Sequence, residues 1–215
     1  MDIIPLGHAS FKIRGKHTSI VTDPYDSEMV GLKFPKHTAA DIVTVSHAHQ
    51  DHNATNQIEG SPFIITGPGE YEIKGVAVIG FPSFHDTESG KARGGNTIYR
   101  MEIDGVVVAH LGDLGHVLLS EQVDNLDGVD ILLIPVGGFY TIDAKQASEV
   151  ITEIEPKIVI PMHYGRKDLN QKMFSELTPL STFLKEMGKE GVIPQARLTI
   201  LRDKLPSELQ VVVLE

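Results

Sequence analysis

The stretch Ile42-Val43-Thr44-Val45-Ser46-His47-Ala48-His49-Gln50-Asp51-His52 runs from a β-branched apolar segment into four metal-binding side chains within six residues. The apolar part has the composition of a strand. His47 and His49 stand two apart on extended chain leaving that strand, so their side chains depart on the same side and can grip one ion. Asp51 and His52 are adjacent, at a point where the chain is expected to turn into a helix, and aim elsewhere. Two pairs aimed differently predict two metals.

Neither pair completes a site, so the missing ligands are sought at the ends of other apolar strands. Three stand out: His85, Asp113 and His163, following the runs at 76–84, 106–112 and 158–162. Ligands of open α/β sheets gather beyond the carboxyl ends of strands, so these exits are expected to converge on one cleft. The simplest allocation gives His47, His49 and His85 to one metal and Asp51, His52 and His163 to the other, with Asp113 bridging. A lone aspartate after a strand is more often a turn or cap residue, and a lone buried histidine such as His110 is more often a hydrogen-bonded core residue. Four metal-binding types in six residues, backed by three strand-end partners, outweigh that reading here.

Composition narrows the chemistry. None of the 215 residues is cysteine, which excludes disulfides, a thiolate nucleophile, iron–sulfur clusters and thiolate-bound zinc. Ten histidines remain as the nitrogen donors. A nitrogen and carboxylate donor set suits Zn²⁺ first, then Mn²⁺ and Fe²⁺. Two divalent ions ~3.5–4 Å apart deprotonate a bridging water and polarise the substrate oxygen, which points to hydrolysis of a carboxylic ester, lactone or phosphate ester. Asp51 and Asp113 are the candidate catalytic residues, Asp51 orienting the hydroxide or receiving its proton.

The formal charge of −10 argues against wide nucleic-acid binding, which relies on clustered Lys and Arg. A small-molecule substrate is expected, and self-association is left open. No apolar run approaches the ~20 residues of a membrane span. The start, Met1-Asp2-Ile3-Ile4-Pro5-Leu6-Gly7-His8, lacks a basic, cleavable leader pattern, and a cytoplasmic location is expected.

Strands are predicted at 3–6, 10–13, 19–22, 42–46, 63–66, 76–81, 97–103, 106–111, 131–136, 157–161, 197–201 and 209–214, and helices at 143–154 and 181–188. Continuous runs such as Ile131-Leu132-Leu133-Ile134 imply strands covered on both faces. Hairpins in the first half and strand–helix–strand alternation after Asp130 fit two sheets with helices outside, a layered α/β domain spanning 1–215. Residues 88–95 read as a mobile loop.

The motif His47, His49, Asp51, His52 resembles the H-x-H-x-D-H hallmark of the metallo-β-lactamase superfamily. Its other landmarks follow in order: Asp23 in Val21-Thr22-Asp23-Pro24, then His85, Gly112-Asp113 and His163. The resemblance covers the whole chain. It implies a four-layer αβ/βα sandwich, two mixed sheets face to face with helices outside, and a dinuclear site at one edge. Asp23 would then hold the metal loop without binding metal.

Leu6-Gly7-His8-Ala9-Ser10 and Pro161-Met162-His163-Tyr164 further resemble the branch holding L-ascorbate-6-phosphate lactonase and N-acylphosphatidylethanolamine phospholipase D. His8 is either a neighbour of the metals or substrate, or a satisfied strand-end histidine. His49 replaces the glutamate of the flavodiiron branch, and nothing matches the added domain of glyoxalase II or the insertion of the RNA-processing nucleases. The rival readings are a phosphodiesterase or nuclease, and a metal-bound regulatory subunit without turnover. Secondary candidates are His110 and His116 beside the site, and Tyr140 on an aromatic rim as substrate contact or oxyanion donor. Lys91 and Arg93 are loop cations able to attract a phosphate or carboxylate, and Asn96 is a strand cap.

Overall fold

The computed structural model describes residues 1–215. The strands are β1 (Asp2–Gly7), β2 (Ser10–Arg14), β3 (Ser19–Thr22), β4 (Ile42–Thr44), β5 (Phe63–Ile65), β6 (Gly69–Ile73), β7 (Val76–Phe84), β8 (Gly95–Ile103), β9 (Val106–His110), β10 (Ile131–Pro135), β11 (Ile158–Met162), β12 (Leu198–Thr199) and β13 (Gln210–Val211). The helices are α1 (Ser27–Val30), α2 (Ser120–Asn125), α3 (Ala144–Ile154), α4 (Gln171–Phe174) and α5 (Leu180–Glu186). One sheet has the order β12-β1-β2-β3-β4-β5 and the other β13-β11-β10-β9-β8-β7-β6. No helix is long and apolar enough to cross a membrane.

The continuous apolar runs sort by parity. Val106, Val108, Ile131, Leu133, Ile158 and Ile160 face inward, where they meet Ile3, Phe11, Ile13, Ile20 and Ile42 of the other sheet in one buried cluster. The intervening Val107, Ala109, Leu132, Ile134 and Val159 face outward and pack under α3 and α5 through Ala147, Val150, Ile151 and Phe183. Val21 and Val43 form the outer face of the first sheet and meet Val30 of α1 and Phe174 of α4. A period of two with both faces covered gives the α/β sandwich its four layers. Burying each such Val, Leu or Ile contributes about 1.5–3 kcal/mol.

Strand direction assembles the site. In the first sheet β1, β3 and β4 all run the same way, because β2 lies antiparallel between β1 and β3 while β3 and β4 are parallel. In the second, β7, β9, β10 and β11 share a direction, with β8 antiparallel between β7 and β9. Gly7, Thr22, Thr44, Phe84, His110 and Met162 therefore all mark carboxyl ends, and His8, Asp23, His47, His85, Asp113 and His163 lie just beyond them.

Several local expectations are corrected. The chain does not enter an α-helix after Asp51: residues 50–52 form a turn, and only a short 3₁₀ segment, Thr55–Gln57, follows. Strand β6 lies outside the predicted strands, since Glu70 and Glu72 interrupt its apolar content. Its Tyr71 and Ile73 pack on the core, and it reverses into β7 through Lys74-Gly75, both at positive φ, a two-residue turn matched to strand twist. The short helices α1, α2 and α4 likewise lie outside the predicted helices.

Residues 88–94 form an organised turn, and Gly95 already belongs to β8. The Asp86 carboxylate accepts backbone N–H bonds from Glu88 and Gly90 at 2.8 Å, from Ala92 at 2.9 Å and from Arg93 at 2.7 Å. Burial would raise the Asp86 carboxyl, but these four donors overcome it and hold its pKa down to about 2.

Candidate metal centre

Beyond the strand ends the predicted ligands fall into two groups, in each of which one donor atom per residue lies within 4.8 Å of the others. His47, His49 and His85 form one group; His8, Asp51, His52 and His163 form the second. The carboxylate of Asp113 stands between them. Its Oδ2 is 3.1 Å from Nε2 of His85, 3.2 Å from Nε2 of His163 and 3.9 Å from Nε2 of His47, while Oδ1 is 3.3 Å from Nε2 of His52. The structure thus brings all seven predicted ligands together, and adds His8.

The histidines are aimed by neighbours. Asp23 is wholly buried and accepts from the Ser46 amide at 2.7 Å, from the Ser46 hydroxyl at 2.5 Å and from Nδ1 of His52 at 2.8 Å. With its proton committed to Asp23, the Ser46 hydroxyl accepts from Nδ1 of His47 at 2.9 Å. Nδ1 of each imidazole is therefore engaged, and Nε2 of each turns into the cluster, the orientation that ligand histidines require. Asp113 is aimed by Asn96, whose Oδ1 accepts the Asp113 amide at 3.0 Å while its Nδ2 donates to Leu111 and Ser83. Asn96 positions Asp113 and does not simply cap a strand. At Gly112, φ is +56° and a Cβ would lie 2.3 Å from that Asn96 oxygen, so only glycine fits the approach.

The electrostatics are those of carboxylates and imidazoles packed together out of water. Burial would raise the Asp113 carboxyl, yet His163 and His52 hold it far below the usual carboxylate range. Burial would lower His52, but Asp113 and Asp51 push it well above the ordinary histidine value. Burial and the charge of His52 lower His47 to about 3, and burial and His163 lower His8 to about 4. Nε2 of His47, His52 and His163 and Oδ1 of Asp113 are buried without a hydrogen-bond partner. Buried polar atoms are rarely left so, and four orphaned donors facing one another fit divalent metal ions.

Nε2 of His8 lies 3.3 Å from Oδ2 of Asp51, and its ring packs 4.2 Å from that of His163 and 5.0 Å from that of Phe174. It belongs with the cluster. The other secondary candidates have structural duties. Nε2 of His110 donates to the Ala9 carbonyl and its Nδ1 accepts from Gly112, a satisfied core histidine that also shapes the turn before Asp113. Nε2 of His116 accepts the Phe84 amide and Nδ1 donates to the Val117 carbonyl, which ties down the end of β7. The Tyr140 hydroxyl donates to the Met173 carbonyl at 2.6 Å, so it is not free as an oxyanion donor, although the residue lines the cavity.

That cavity has a volume of about 430 Å³ and opens over His49, Asp51, His85 and Asp113. Met29 from α1 and Met173 and Phe174 from α4 form its apolar wall. Both helices are set by side-chain caps, Asp26 and Asn170. Asp26 and Asn170, each directly before its helix, were the available signal for this wall.

Fold and site together define a class. The chain belongs to the metallo-β-lactamase superfamily: a family profile described as "Beta-lactamase superfamily domain" matches residues 2–163. Within that class it belongs with the UPF0173 family, being similar to a protein named UPF0173 metal-dependent hydrolase from Thermococcus onnurineus at 31% identity over 74% of this chain and 83% of that one. A second such relative, from Thermoplasma acidophilum, is 30% identical over 79% of this chain and 85% of its own. A solved structure from Thermotoga maritima, described as a candidate Zn-dependent hydrolase of the superfamily, superposes with a TM-score of 0.82 at 37% identity, covering 99% of this chain and 97% of that one.

Proposed function

We propose that the chain hydrolyses an ester, lactone or phosphodiester bond of a small molecule at a dinuclear site. His47, His49 and His85 would hold one divalent ion, Asp51, His52 and His163 the other, and Asp113 would reach both. The observation that carries this reading is the Asp113 carboxylate, whose two oxygens face histidines of both groups. Zinc suits the sulfur-free nitrogen and oxygen donor set best. Two such ions supply Lewis acidity at the scissile oxygen and bring the ionisation of water toward neutral pH.

The residues around them have separate tasks. Asp51 lines the cavity, and its Oδ2, 3.3 Å from His8, is the acceptor placed to orient the attacking water. Met29, Met173 and Phe174 give the cavity an apolar wall for the non-reacting part of a substrate. A cavity of about 430 Å³ suits a small organic substrate. It lacks the row of cations that tracks a polynucleotide backbone.

The test is to load the protein with Zn²⁺ or Mn²⁺, measure metal content, and assay a panel of lactones, carboxylic esters and phosphodiesters. Turnover of at least one class with two ions bound is expected. Two bound ions and no turnover on any of them would overturn the reading in favour of a regulatory subunit.

A further inference from the structure

We propose that Arg93 is the specificity residue of this cavity and selects substrates that carry an anionic group, a carboxylate or phosphate, remote from the bond that is cleaved. The proposal rests on the hydrolase reading for the identity of that bond, but not for the binding of the anion.

Arg93 is held from two sides. Its backbone N–H is one of the four donors to Asp86, which directly follows His85 in the chain. One short segment therefore places both a ligand of the first group and the cation at the cavity rim. Its guanidinium lies 5.5 Å from the ring centre of Tyr140 and 5.9 Å from that of Phe139. An arginine on aromatic faces is oriented and partly desolvated, yet keeps its edge N–H donors free.

Those donors have no partner within the protein. Arg93 is half-buried and lines the cavity, and its side chain makes neither an ion pair nor a hydrogen bond, unlike Arg14, Arg166 and Arg202, which pair with Asp2, Asp168 and Asp130. Apart from the histidines it is the one basic side chain on the wall, which is otherwise largely apolar on that side. In a chain of net charge −10, a cation at the cavity rim favours the approach of an anionic substrate. The planar fork of a guanidinium matches carboxylate and phosphate oxygens alike. Lys91, two residues earlier, is exposed and outside the cavity.

The experiment compares the zinc-loaded wild type with Arg93→Ala, Arg93→Lys and the control Lys91→Ala. Two esters of equal chain length serve as probes, 4-nitrophenyl hydrogen glutarate, which is anionic, and 4-nitrophenyl valerate, which is neutral. Wild type and Lys91→Ala should prefer the anionic ester. In Arg93→Ala the ratio of the two kcat/KM values should fall about ten- to hundredfold, the usual weight of a hydrogen bond to a charged group, and Arg93→Lys should recover part of it. Calorimetric titration with glutarate, glutaramide and glycerol 3-phosphate reads the same contact without turnover. The advantage of an anion over glutaramide should shrink about tenfold in Arg93→Ala, and the anion that loses more identifies the group.

An unchanged ester ratio together with unchanged anion Kd values in Arg93→Ala would overturn the proposal. If wild type cleaves neither ester, ester hydrolysis fails as the reaction, while the titrations still decide Arg93.

Discussion

Asp23 accepts a 2.8 Å hydrogen bond from Nδ1 of His52, and both side chains are wholly buried. Because the same carboxylate also fixes Ser46, and Ser46 fixes His47, one residue that faces no cavity sets the aim of an imidazole in each ligand group. Replacing Asp23 with Ala should lower zinc affinity about 10–100-fold, read by competition with a chelator. Zinc held as tightly as in wild type would mean that Asp23 serves packing alone.

Asp113→Ala should abolish most hydrolysis and reduce the metal content by at least one equivalent per chain, measured by elemental analysis after dialysis. The reason is the position of its carboxylate, with Oδ2 on His85 and His163 and Oδ1 on His52. Metal content and rate that both survive the change would dismiss Asp113 as the shared ligand.

Asp86→Ala removes the acceptor of four backbone N–H groups at once. Amide hydrogen exchange at Glu88, Gly90, Ala92 and Arg93 should quicken by about tenfold or more, while amides of β10 and β11 keep their protection. Unchanged exchange in that segment would show that its turns hold without the carboxylate.

The metal-free protein should lose stability as the pH falls. His8 and His47, lowered to about 4 and about 3, titrate near 6.5 once unfolded. Between about 6.5 and 4 the unfolded chain therefore binds more protons, and acid favours unfolding. His52, raised by Asp113 and Asp51, has the opposite sign: its contribution is present below about 6.5 and fades as the pH rises through its folded value. His49 and His110 are lowered as well, so four depressed histidines stand against one raised histidine and leave the acid side weaker. Denaturant midpoints after chelation should thus fall from pH 6.5 to pH 5, and a rise over that range would contradict the assignment.

The parts of this molecule that sequence discloses are those where one residue type has one explanation. Ile131-Leu132-Leu133-Ile134 is covered on both faces because nothing else accommodates four successive apolar side chains, whereas His47 and His49 reach one group from bent chain beyond β4, which ends at Thr44, and not through strand periodicity. Asp86 was illegible for a physical reason: its partners are backbone amides, which carry no letter in the sequence. Arg93 likewise reads as a solvated loop charge until Asp86, Phe139 and Tyr140 give it a fixed position. His8 was ambiguous because its role depends on Asp51, 43 residues away in the chain and 3.3 Å away in space.

The most direct test of the dinuclear account is an anomalous difference map at the zinc edge from crystals of the zinc-loaded protein. Two peaks are predicted, one among His47, His49 and His85 and one among Asp51, His52 and His163, with the carboxylate of Asp113 in contact with both. A single peak, or two peaks with Asp113 touching neither, would contradict it.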